Sequence, residues 1–156
     1  MSIDTGTATR TWTVEIPAPA AMKSVNKQEH WQAAARYRRA WRDTAWARYA
    51  AAKLPQGLSR IRVEVELRFT DGRKRDAPNY HYHVIKPIVD ALQPERRVRN
   101  PKGGIRVERG WGVVPDDCAE FVELREPRIG PVVAKTRYPF GLVVLTITDL
   151  SEGSDV

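Results

Sequence analysis

The sequence predicts an α+β fold in a single domain, a small mixed β-sheet with helices packed on one side. Three observations carry that expectation. Between residues 60 and 70, Ile61, Val63, Val65, Leu67 and Phe69 alternate strictly with Arg60, Arg62, Glu64, Glu66 and Arg68, so one face of a strand is buried and the other is wet. Between about residues 27 and 53, Trp31, Ala34, Arg38, Trp41, Ala45, Tyr49 and Ala52 recur at steps of three and four, the period of a helix. The length, 156 residues, suits one domain with a core that needs no covalent staples.

The elements follow in order. Residues 1–10 read as a flexible tail, 11–150 as the domain, and 151–156 as a second, acidic tail. Trp12, Val14 and Ile16 alternate with Thr11, Thr13 and Glu15, which predicts a short strand ended by Pro17 and Pro19. A loop closes with Ser24-Val25-Asn26. Asn26 suits the N-cap of the long helix, with Glu29 three residues on as in a capping box. The aromatic stripe of that helix reads as core packing rather than a platform for stacked bases. Pro55 and Gly57 stop it, and Asp71-Gly72 turns the chain after the alternating strand.

A second helix is expected near 79–92. Ile85, Ile88, Val89 and Leu92 form a buried stripe, and Asn79, His83, Lys86 and Asp90 a separate polar one. Pro87 either kinks this helix or marks the first turn of a shorter one, with 79–85 as an irregular entry. Residues 97–107 read as a basic hairpin around Asn100-Pro101-Lys102-Gly103-Gly104, whose glycines suit a turn better than a phosphate cradle. Val113 and Val114 lead into Pro115-Asp116-Asp117. Residues 119–124 suit a strand, 125–139 a loop, and 142–148 a closing strand.

Composition narrows the function. No run of 18 uncharged apolar residues exists, so no membrane span is expected. The first ten residues lack the apolar core of a secretion signal, and Cys118 is the single cysteine, so a cytoplasmic protein without disulfides is the expectation. Lysine and arginine number 26 against 19 acidic residues, a net charge of +7 that favours polyanionic partners. The cations cluster at Arg73-Lys74-Arg75, at Arg96, Arg97, Arg99, Lys102, Arg106 and Arg109, and on the long helix at Arg36, Arg38, Arg39 and Arg42.

Phosphodiester hydrolysis needs charge neutralisation at phosphorus and an activated water, which carboxylates holding Mg²⁺ supply. The candidates are Asp76, Asp90 and the pair Asp116-Asp117. Each also has a plain reading: a turn or N-cap for Asp76, a solvated helix face for Asp90 and Lys86, an ordinary turn for Pro-Asp-Asp. With one cysteine and three histidines a zinc site is not expected, and Cys118 has no evident base to activate it as a nucleophile.

Order and spacing distinguish the set. Arg75-Asp76-x-x-Asn79, then Lys86-x-x-x-Asp90-x-Leu92, then Pro115-Asp116-Asp117, resembles the RusA family of Holliday junction resolvases. In that family an Arg-Asp-x-Asp-Asn segment opens a helix, Lys-x-x-x-Asp-x-Leu continues it, and an Asp-Asp pair lies beyond. The resemblance spans about residues 12–150. It implies a magnesium-dependent endodeoxyribonuclease, with Mn²⁺ as a substitute, that acts as a homodimer on branched double-stranded DNA in recombination and repair. It implies Asp76 and Asp117 as catalytic and metal-binding aspartates, Asp116 beside them, Lys86 in catalysis or phosphate contact, and Asp90 and Asn79 as further candidate ligands. Arg73, Lys74, Arg75, Arg97, Arg99, Lys102 and Arg106 are the expected DNA contacts. The chain departs from the family pattern in carrying Pro78 where the second aspartate stands, and in longer intervals after Asn79 and after Leu92. Pro78 motivates the alternative of a basic DNA-binding protein with weakened or lost catalysis. A third reading is an interaction protein whose basic surface is incidental.

Overall fold

The computed structural model describes residues 9–25 and 30–151. The expected Asn26–Glu29 capping box and most of both tails lie outside these residues. The described chain is an α+β unit: β1 Thr11–Pro17, α1 Trp31–Ala52, β2 Ile61–Arg68, a 3₁₀ turn Ala77–Tyr80, a π turn His81–Ile85, α2 Lys86–Asp90, β3 Pro94–Arg99, β4 Ile105–Trp111, β5 Val122–Leu124, β6 Arg128–Ile129 and β7 Leu142–Asp149.

The main sheet runs β1-β7-β2-β5, with β6 also paired to β2. The closing strand β7 is antiparallel to β1 (Val14 opposite Leu145) and to β2 (Val65 opposite Leu145). β5 and β6 join β2 in parallel, so the sheet is mixed. Period-two patterning decides which side chains enter the core: Ile61, Val63, Val65 and Leu67 are at most 1% exposed, while their arginine and glutamate neighbours are half-buried.

Helix α1 covers this face with Ala34, Tyr37, Trp41, Ala45 and Tyr49. The buried Tyr49 hydroxyl donates to the Ile88 carbonyl at 2.8 Å, and burial pushes its phenol well above the usual range. His30 caps the helix by accepting the Gln32 N–H, and Lys53 closes it in the left-handed conformation. Trp31 does not belong to the core stripe as expected: it is 71% exposed. At 3.6 residues per turn it lies roughly 120° around the axis from Tyr37, which takes the buried place instead.

The expected second helix is three short pieces. Pro87 has no N–H to continue an α ladder, and the turn before it widens so that Lys86 N–H bonds His81 five residues back. Pro87 then sits in the first turn of α2, as the shorter-helix reading anticipated. Ile85, Ile88, Val89 and Leu92 are buried as expected. His83 is a correction: it is buried rather than on a polar stripe, because the wide turn rotates it edge-on against Tyr37 and Tyr82.

Strands β3 and β4 form a separate antiparallel hairpin, Arg97 opposite Val107 and Arg99 opposite Ile105, with an irregularity near Pro94. Its base is tightly seated. A Cβ on Gly110 would stand 2.0 Å from the Gln93 carbonyl oxygen, so the close approach requires glycine. The Trp111 indole donates to the Leu54 carbonyl at 2.7 Å and meets Trp46 edge-on. The 125–139 loop carries the two-residue strand β6, and the strand expected at 119–124 shortens to β5. No helix among the described residues is long and apolar enough to cross a membrane.

Candidate functional site

Lys86 opens α2 and Asp90 stands one turn later, so the i, i+4 spacing brings them together: Lys86 Nζ lies 3.3 Å from Asp90 Oδ1. Asp117 arrives from a distant loop. That loop is fixed by Val113 and Val114, each 1% exposed, through backbone bonds from Leu58 N–H to the Val113 carbonyl and from Val114 N–H to the Leu92 carbonyl. Asp116 Oδ1 accepts the Asp117 N–H at 2.7 Å, a tight local turn. Asp117 Oδ2 then lies 3.6 Å from Lys86 Nζ. One ammonium therefore bridges two carboxylates, whose nearest oxygens can be no farther apart than the sum of the two distances, 6.9 Å.

The surrounding charge is dense. Burial alone would lower the Lys86 pKa, but the carboxylates of Asp90 and Asp117 outweigh it and hold the ammonium above its ordinary value. Arg96 is raised first by its hydrogen bond to Glu108, and it also feels Asp90 and Asp117. Burial pushes Glu108 up, yet Arg96, Arg42 and Arg106 together hold its carboxyl below the usual value. Lys86, Asp90, Arg42, Arg96, Arg106 and Glu108 line a cleft of about 340 Å³ between α1, α2 and the hairpin, where seven cationic side chains face three carboxylates. Two of the cations are braced by aromatics: Arg38 stacks on Tyr82 at 4.8 Å and Arg109 on Trp46 at 4.5 Å.

Arg42, one of the cluster of cations on the long helix, is a buried strut. Its guanidinium donates to the carbonyls of Arg109 at 2.8 Å and Asp90 at 3.4 Å, and approaches Glu108 at 3.8 Å. It ties α1 to the hairpin and to the end of α2.

The expected ligand set is only partly assembled. Asp90 and Asp117 share the Lys86 ammonium. Asp116 is exposed and spent on its own turn. Asp76 stands at the N-cap position of the 3₁₀ turn, but its side chain caps nothing; its carbonyl accepts the Asn79 N–H at 3.1 Å. Asn79 is half-buried, and its carbonyl accepts the Val25 N–H. Among the described residues, no three His, Cys, Asp or Glu side chains come together as a metal-holding group. Of the candidate carboxylates, Asp90 and Asp117 are linked through Lys86. The pair still fits Mg²⁺, which takes hard oxygens, commonly one or two carboxylates completed by substrate phosphate and water.

The basic residues divide in three. Arg73, Lys74 and Arg75 belong to a separate shallow depression shared with Lys135 and Phe140. There Arg75 is a brace rather than a free contact: it pairs with Asp71 at 2.9 Å and stacks on Phe69 at 3.9 Å, with its side chain 16% exposed. Arg106 reaches into the main cleft and pairs with Glu108 at 3.3 Å. Arg97, Arg99 and Lys102 stand exposed on the hairpin, with no ion pair among the described residues. Arg38, Arg39, Arg96 and Glu108 were not expected as site residues. For Arg96 and Glu108 a signal existed, since counting outward from the turn at 100–104 pairs position 96 with 108.

No family model matches this chain, and no curated protein matches it either.

Proposed function

We propose that this protein is a divalent-metal-dependent endodeoxyribonuclease of the RusA type, acting on branched duplex DNA such as a four-way junction. The observation that supports it best is the meeting of Lys86 with Asp90 and Asp117 at the edge of a strongly cationic cleft. Two carboxylates and a lysine, Lys86 and Asp90 from α2 and Asp117 from a distant loop, suit the hydrolysis of a phosphodiester.

In this reading Asp90 and Asp117 would hold Mg²⁺ or Mn²⁺ together with a phosphate oxygen. Such an ion, when bound, neutralises phosphate charge and favours attack by water. The chain's own residues do the rest. Arg38, Arg39, Arg96 and Arg106 draw the phosphate backbone into the cleft. Lys86 would supply its ammonium to the negative charge that develops as the P–O bond breaks. Asp76 is the further candidate carboxylate of this reading, and Asp76→Asn tests it. A homodimer acting in the cytoplasm belongs to the same proposal, because paired active sites suit the two symmetric strands of a junction.

A second reading, a DNA-binding protein that has lost catalysis, is favoured by Pro78, which stands where the family pattern has its second aspartate. The deciding experiment is nicking of a synthetic four-way junction in Mg²⁺ by wild type, Asp76→Asn, Asp90→Asn and Asp117→Asn, with junction binding measured in parallel in chelator. Metal-dependent nicking by wild type, lost in Asp117→Asn with binding retained, supports the nuclease. Tight binding with no nicking in Mg²⁺ or Mn²⁺ supports the second reading. Failure to bind DNA removes both.

A further inference from the structure

One face of the β3–β4 hairpin is already occupied. Glu108 pairs there with Arg96 at 2.6 Å and with Arg106 at 3.3 Å, and Arg42 of α1 approaches it at 3.8 Å. Residues opposite one another on an antiparallel pair share a face. Arg97 lies opposite Val107 and Arg99 opposite Ile105, so these four form the other face. All four are exposed, Ile105 at 62% and Val107 at 49%, and neither arginine has an ion pair among the described residues. Val107 also reaches the rim of the main cleft. Residues 94–111 carry six cations against two carboxylates, Glu95 and Glu108.

We propose that this outer face enters the major groove of a B-form DNA duplex and reads guanine through Arg97 and Arg99. The proposal rests on the DNA-binding part of the reading above and names how the duplex is engaged. The major groove admits a two-stranded β-ribbon, and an arginine fork matches guanine O6 and N7. Two arginines two residues apart on one strand face are separated by about 6.8 Å, which is the rise of two base-pair steps. Ile105 and Val107 beside them supply the apolar surface that suits a thymine methyl. The ribbon is held rigidly at its base by Gly110, Trp111 and Arg42, so little order has to be gained on binding. Duplex RNA is a poor fit, because its major groove is deep and narrow. A second copy of this chain is disfavoured by charge, since two ribbons each carrying a cationic excess would oppose one another.

The test is dimethyl sulfate footprinting of guanine N7 on a junction and on a linear duplex, in Ca²⁺. Wild type is compared with Arg97→Ala/Arg99→Ala and with Arg97→Lys/Arg99→Lys. Wild type should protect guanines within one half-turn, and replacing those guanines with 7-deazaguanine should weaken its binding by about tenfold. The lysine pair keeps the charge but not the fork, so it should bind within about threefold of wild type and protect no guanine. The 7-deazaguanine arm uses wild type alone, so it stands even where a variant misfolds. Unprotected N7 atoms, or equal binding to both duplexes, overturn the proposal. So does an Ile105→Ser/Val107→Ser variant whose mass by light scattering falls to that of a smaller assembly, which would assign the face to a second copy. Guanine protection without Mg²⁺-dependent nicking keeps this inference and removes the nuclease; nicking without protection does the reverse.

Discussion

Lys86 and Asp117 stand on elements that have no local relation in the chain, yet the lysine ammonium lies 3.6 Å from the aspartate carboxylate. The contact is made possible by Val113 and Val114, which bury the start of the Asp117 loop beside the end of α2. A second carboxylate, Asp90, reaches the same ammonium from one turn along the helix. Removing either carboxylate should leave the lysine in place, because the other still holds it.

For this reason Lys86→Ala and Asp117→Asn should separate in their effects. On the nuclease reading, Asp117→Asn reduces junction nicking to the metal-free background while binding is kept or slightly tightened, since a negative charge has left the neighbourhood of Lys86 and Arg96. Lys86→Ala lowers the nicking rate by about a hundredfold, the order expected for a lost charge-stabilising donor. Single-turnover nicking with saturating protein checks both, and a Lys86→Ala protein as fast as wild type would contradict the role given to the ammonium.

Arg42 should matter to stability far more than to DNA affinity. Its side chain is 11% exposed and satisfies the carbonyls of Arg109 and Asp90. Arg42→Ala leaves those acceptors and Glu108 without it, at a cost of about 3 kcal/mol. Arg42→Lys should recover little, because an ammonium cannot serve carbonyls on two elements in one plane. Urea unfolding midpoints measure the loss.

Gly110→Ala should displace the hairpin. The added methyl would meet the Gln93 carbonyl at 2.0 Å, and backbone rather than a flexible side-chain end must move. A loss of about 2 kcal/mol or more is expected, with a lower melting temperature. Hydrogen exchange should quicken along residues 94–111 before it does in β2 or β7.

Acid should unlock the end of the sheet. Burial by itself would raise the Asp149 carboxyl, but the Ser151 backbone and side chain and the Arg10 guanidinium hold it below its ordinary value of 3.8. A lowered folded-state value means that the stabilisation is fully present above the ordinary value and is lost as pH falls from there through the folded one. Glu66 shifts in the same direction from 4.5, where burial is outweighed by Arg68 and Arg128. Urea midpoints should therefore be flat near neutrality and drop below about pH 4.5. Arg10→Ala should bring the drop in Asp149's share to a higher pH.

Much of the architecture was written in residue periods. The strict alternation at 60–70 and the β-branched run at 142–148 place their own core faces, because a strand has only two sides. Pro87 announces a break in the helix it interrupts, because it lacks the donor that an α ladder needs. The hairpin and its register follow from one strong turn. Tertiary structure alone decided the rest. Helical spacing could not tell that Tyr37 rather than Trp31 faces the core, since stripes drawn through either one fit the same period. Nor could it tell that Arg42 is a buried strut, because its acceptors are backbone carbonyls that carry no residue signature. The candidate site shows the same divide. The residue types were legible in order along the chain, but which aspartates share a lysine is a matter of long-range packing, and packing brought Asp117 to the lysine that Asp90 already holds, while Asp116 bonds within its own turn.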